Sequence, residues 1–92
     1  MATDISATTG MSTEQQEVLT KLAEIIEEIA EVPAGDISLD KRFVDDLDID
    51  SLSMIEIAAQ TEATFELDIA IEALAELLTV GDAVDLVLAK RP

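Results

Sequence analysis

The stretch FVDDLDIDSLSMIEI, residues Phe43–Ile57, sets Ser51 behind Asp45, Asp46, Asp48 and Asp50 and ahead of an apolar run. The chain contains no histidine and no cysteine. Ser51 therefore has no histidine to serve as the activating base of a serine nucleophile. From Ser51 onward the apolar residues follow a helical period. Met54, Ile57, Ala58, Thr61 and Phe65 fall on one side, and Leu52, Ile55 and Ala59 form a second stripe with Ser51 at its head. One stripe is enough to pack a helix. The second is either covered by a neighbouring loop or short helix, or left as an apolar strip flanked by Glu56, Glu62 and Glu66, the composition of a docking surface with a polar rim.

On either side of this helix, expected over Ser51–Phe65, the chain reads as further helix. Ser12 and Gln15 have the spacing of a capping box, and Val18, Leu22, Ile25, Ile26 and Ile29 then recur at helical intervals, predicting a first helix over Thr13–Glu31. Pro33 and Gly35 end it and begin a long connection. Ile37, Leu39, Phe43 and Leu47 are scattered through that connection without a strand pattern, as in a loop pinned onto a helical core. A short third helix is expected over Ile71–Leu77. Thr79, with Asp82 three residues on, has the pattern of an N-cap for a fourth helix whose apolar face is Val80, Ala83, Val84, Val87 and Leu88. The expected fold is all-α, a small four-helix bundle of three longer helices and one short, with a long loop between the first two. Residues 1–11, rich in Thr, Ala and Ser, read as a disordered leader with Met11 as an alternative start; residues 12–90 form the domain and 91–92 a tail.

Composition narrows the function. At 92 residues the chain is one small domain without room for a large cleft, which argues against a self-contained enzyme. Its 21 acidic and 5 basic residues give a net charge of −16 and a pI near 4.1. That charge repels nucleic acid and anionic membranes and favours basic protein surfaces. Hydrophobic residues make up 49% of the chain, enough to oppose wholesale disorder. The absence of cysteine suits a reducing cytoplasm, and no apolar segment is long enough for a membrane span.

The acidic loop, the Asp-Ser-Leu at the helix start and the small acidic domain together resemble the acyl carrier proteins of bacterial type II fatty-acid synthesis. The resemblance covers Thr13–Lys90 and is most specific over Phe43–Glu62. FVDDLDIDSLSM together with TVGDAV is similar to carriers of actinobacteria, including those of mycolic-acid extension. The resemblance implies that Ser51 is the attachment point of 4′-phosphopantetheine, transferred from coenzyme A by a holo-carrier synthase, which supplies the base that this chain lacks. The acyl group would ride as a thioester on the arm's terminal thiol. The resemblance further implies no enzymatic activity of the chain's own, and a partner surface of Asp50, Leu52, Ile55, Glu56, Ala59, Glu62 and Ile69. Asp50 would also contact the Mg²⁺ used in pantetheinyl transfer. Partners would be the synthase, malonyl transacylase, ketosynthase, reductase and dehydratase, each with a basic docking patch, acting on a monomeric carrier. Two departures stand out: DIAIEALAEL lacks the IPDE-like turn common before helix three, and the acids late in helix two are thinned to Glu62 and Glu66.

Other readings of the same residues are a carrier of a type II polyketide or another specialised pathway, or a noncatalytic acidic interaction module or metal buffer. A peptidyl carrier is disfavoured because LDIDSL lacks the Gly-Gly usual before that serine. An EF-hand is disfavoured because Ile49 stands where the calcium loop needs glycine. A hydrolase would have only carboxylates as bases and no evident pocket.

Overall fold

The computed structural model describes residues 12–90; the expected leader and tail lie outside the described residues. The described chain is built from α1 (Thr13–Ala30), a 3₁₀ turn (Ala34–Asp36), α2 (Ser51–Phe65), α3 (Ile71–Leu74) and α4 (Val80–Lys90). Helix α1 packs against both α2 and α4. Its buried face, Val18, Leu22, Ala23, Ile25 and Ile26, meets Ile57 of α2 and Val80, Ala83, Val84 and Val87 of α4 in one core. The predicted all-α bundle is the one observed.

The three longer helices begin where side chains can satisfy the orphan N–H groups of a first turn. For α1 this is the capping box: Gln15 N–H donates to Ser12 Oγ at 3.1 Å, and Ser12 N–H to Gln15 Oε1 at 2.9 Å. For α4 the work is shared with the long loop. Val80 and Gly81 N–H donate to the carbonyls of Lys41 and Leu39, both at 2.9 Å, while Thr79 N–H and Asp82 N–H bond reciprocally to the Asp82 carboxylate and Thr79 Oγ1. A Cβ on Gly81 would lie 3.0 Å from the Leu39 carbonyl oxygen, so glycine is what allows the loop backbone to sit this close.

Helix α1 stops one residue before its expected end. Glu31 takes a left-handed conformation (φ 62°) and its N–H returns to Glu27 O, closing the helix ahead of Pro33. Helix α3 is shorter than the expected Ile71–Leu77. Beyond Leu74 the chain tightens into three-residue turns, Glu76 N–H to Ala73 O and Leu77 N–H to Leu74 O. There the Leu78 carbonyl accepts the Phe43 N–H at 3.0 Å, drawing the segment onto the long loop instead of extending the helix.

The acidic loop is itself a wrapped structure. Asp46 and Leu47 N–H donate to Arg42 O, Asp48 N–H to Val44 O and Ile49 N–H to Phe43 O, with Asp48 left-handed at φ 56°. This single turn sends Phe43, Leu47 and Ile49 into the core and leaves Val44, Asp45, Asp46 and Asp48 outside. Burying Phe43, 2% exposed, contributes on the order of 2–3 kcal/mol.

Candidate functional site

Helix α2 begins at Ser51, but its cap is the residue before. Asp50 Oδ1 accepts the Ser53 N–H at 2.8 Å, and that bond, reinforced by the Ser53 hydroxyl, holds the Asp50 carboxyl below its ordinary pKa. The cap is thus anionic at neutral pH, at the end of the helix where the macrodipole favours negative charge. Because Asp50 does the capping, Ser51 occupies the first helical position with its side chain exposed. No described residue engages its hydroxyl in a hydrogen bond, and the Ser51 and Leu52 N–H groups beside it belong to the turn that no intrahelical carbonyl reaches.

The other aspartates of the loop have separate positions. Asp46 accepts the Arg42 backbone N–H at 2.8 Å and its Nε at 3.2 Å, a clamp across the turn. The Arg42 guanidinium, and then its N–H, hold the Asp46 carboxyl below the usual carboxylate range. Asp45 pairs with the same guanidinium at 3.4 Å on the surface, a contact of small energetic weight. The acids around Ser51 are therefore in good part the loop's own fastenings. The clamp needs Arg42 folded back onto its own turn, a conformation that residue spacing alone does not signal.

The two stripes of α2 separate as their spacing suggests. Ile57 and Thr61 are buried, with Met54, Ala58 and Phe65 half-buried behind them; Thr61 Oγ1 donates to the Ile57 carbonyl at 2.7 Å, which satisfies the one buried polar side chain of the described core. Leu52 (67% exposed), Ile55 (49%) and Ala59 face outward, and Glu56 is exposed beside them. Val44, Ile55, Ile71 and Leu78, all exposed, line one groove with Ser51. Glu62 and Ile69 are placed differently from that rim. Glu62 Oε2 accepts the Ile69 N–H at 2.6 Å, and the half-buried Ile69 lines the interior.

An apolar groove of about 350 Å³ opens at Ser51 between α2 and α3, walled by Val44, Met54, Ile55, Ile71, Leu74 and Leu78 among others. Phe43, Met54, Leu74 and Leu77 line both this groove and a smaller interior cavity of about 20 Å³ that reaches Leu22 of α1 and Val87 of α4. Among the described residues no group of three or more carboxylates is placed to hold a metal ion. No helix of the described chain is long and apolar enough to cross a membrane.

A free hydroxyl at a helix start, opening onto an apolar groove, suits a covalently attached flexible arm. The family model described as a phosphopantetheine attachment site matches residues 20–87. The meromycolate extension acyl carrier protein of Mycolicibacterium aurum is 54% identical over 74 residues, covering 80% of this chain and 76% of that relative. The chain belongs to the acyl carrier proteins. A Rhodococcus erythropolis acyl carrier protein is 49% identical over 74 residues, covering 80% of this chain and 81% of its own length. Among solved structures, an acyl carrier protein from Enterococcus faecalis superposes with a TM-score of 0.68 at 33% identity, covering 82% of this chain and 95% of that one. A doublet carrier from prodigiosin biosynthesis, at 24% identity and TM-score 0.72 over 91% of this chain and 41% of that one, shares the fold. As an acyl carrier protein the chain bears 4′-phosphopantetheine covalently. When attached, that group supplies the thiol on which acyl chains are held as thioesters.

Proposed function

We propose that Ser51 carries the phosphopantetheine arm and that residues 12–90 form a carrier presenting acyl chains to the enzymes of fatty-acid extension, as in the actinobacterial meromycolate carriers it is similar to. The observation that carries the assignment is the Ser51 hydroxyl, exposed and unbonded at the first position of α2. The matched span also contains Ser38 and Ser53. Ser38 Oγ donates to Asp40 Oδ1 at 2.7 Å, and Ser53 is half-buried under the Asp50 cap. Neither offers a free, exposed acceptor.

The chain is not an enzyme in this reading. The base that activates Ser51 comes from a holo-carrier synthase, and the Asp50 oxygen opposite the cap is the contact for the Mg²⁺ used in transfer. Leu52, Ile55 and Ala59, with Glu56 beside them, form the surface on which the synthase, malonyl transacylase, ketosynthase, reductase and dehydratase dock through basic patches. Apolar contact at such a surface supplies residence, and charge mainly supplies encounter rate. The groove beside Ser51 gives an acyl chain an apolar place next to its attachment point. The protein acts as a monomer in the cytoplasm.

The test is reconstitution. The chain, converted with coenzyme A and a synthase, is supplied to purified actinobacterial extension enzymes with a long-chain primer. Elongated acyl thioesters on this protein are expected, at a rate comparable with that of a meromycolate carrier in parallel. Efficient loading without elongation, while the parallel carrier is extended, would overturn the fatty-acid assignment.

A further inference from the structure

The segment between α2 and α3 is fastened chiefly by one residue. Three N–H groups of residues 66–69 converge on Glu62: those of Glu66 and Leu67 on its carbonyl, the latter at 3.2 Å, and that of Ile69 on its carboxylate at 2.6 Å. The first two belong to the helix end, where Glu66 is left-handed at φ 57°. The third spans seven residues and comes from the side chain alone. It holds the residue whose side chain lines the interior cavity, two positions before α3 begins.

Helix α3 has few fastenings of its own. It is four residues long, its N-cap is Ala70 with no side-chain bond to the first turn, and among the described helices α2 is the one in substantial contact with it. Leu74 of α3 nevertheless walls both the groove at Ser51 and the interior cavity. The far end of the segment is fastened to the long loop through the Phe43 N–H to Leu78 carbonyl bond, which leaves the start of α3 as the end that Glu62 can hold.

We propose that the Glu62 carboxylate is a latch: a positioning residue that, through the Ile69 N–H, holds α3 closed over the apolar interior and so sets how well a bound acyl chain is shielded. The consequence for acyl chains rests on the carrier function proposed above; the latch itself does not. A bond from a backbone N–H to a carboxylate is among the stronger hydrogen bonds. It can also be broken without uncovering the main core, since neither Glu62 nor Ile69 belongs to the fully buried set. Glu62 thus faces inward in function, and Glu56 is the acid on α2 left to partners.

Amide hydrogen exchange on the unmodified full chain tests the latch directly. Glu62→Ala should speed exchange at Ile69 roughly tenfold or more, the size expected for losing a charge-assisted bond, with Ile57 and Val84 amides unchanged. Glu62→Gln keeps an acceptor oxygen at the same reach and should restore much of the protection. In the loaded protein, hydroxylamine should cleave a palmitoyl thioester faster in Glu62→Ala than in wild type, with an acetyl thioester equal in both. Unchanged Ile69 exchange in Glu62→Ala, a Gln variant as fast as the Ala variant, or a uniform rise across core amides would each overturn the latch. Equal palmitoyl cleavage would overturn its role in shielding. A wild-type chain that never loads would instead contradict the carrier assignment and leave the exchange result standing.

Discussion

Asp50 and Ser51 are adjacent and do opposite things: the carboxylate closes the helix, and the hydroxyl is left outside it. A serine at a helix start ordinarily caps that helix, and a capping hydroxyl is occupied by the N–H groups it serves. Here the duty falls one residue earlier, on Asp50, and the arrangement predicts a pH signature. The Ser53 N–H and hydroxyl hold the native Asp50 pKa below its ordinary value of 3.8. A carboxylate depressed in the folded state stabilises fully above the unfolded value and loses that contribution as pH falls through the native one. Asp50→Ala should therefore melt below wild type by a gap that stays constant from neutrality to about pH 5 and closes as pH drops below 3.8. Paired thermal melts across that range check it, and a gap of unchanged size at the acid end would contradict the cap.

Helix α2 has two apolar faces, and the proposed function gives the outward one a use. The inward face meets α1 through Ile57, and the outward face carries Leu52 and Ile55 around Ser51. Ile55→Ala should leave the thermal midpoint close to wild type and still slow modification by a holo-carrier synthase. Phe43→Ala, which empties a site 2% exposed, should cost about 3–5 kcal/mol, a large share of a small domain's stability. Melts and transfer kinetics on the two variants separate the faces; if Ile55→Ala unfolds as readily as Phe43→Ala, the outward stripe is core. Phe65, half-buried, is the poorer choice of core probe. Both stripes were legible as spacing, because a helical period reports angle directly. Whether the second stripe is covered was not, since that depends on how the loop and α3 lie across α2. The caps at Ser12 and Thr79 were equally legible, being contacts across three residues. The Glu62–Ile69 bond, the Arg42–Asp46 clamp and the burial of Ile49 were not, because each needs a chain reversal that no local pattern encodes.

At the scale of the whole molecule, the net charge of −16 is divided between fastening the fold and meeting partners. Asp46, Asp50, Glu62 and Asp82 accept internal N–H bonds, while Glu56 and most of the acids of α1 stand exposed. Such a surface repels other acidic molecules and draws basic ones at rates that fall with salt. At the head of an exposed apolar strip the Ser51 hydroxyl stands exposed, bonded to no described residue, and it is this hydroxyl that we propose receives the arm. Intact mass is the most direct measurement, taken on wild type, Ser51→Ala and Ser53→Ala after incubation with coenzyme A and a phosphopantetheinyl transferase. Wild type and Ser53→Ala should each gain the mass of one phosphopantetheine, and Ser51→Ala none. A gain that persists in Ser51→Ala, or an unmodified wild type beside a control carrier converted by the same transferase, would contradict the account.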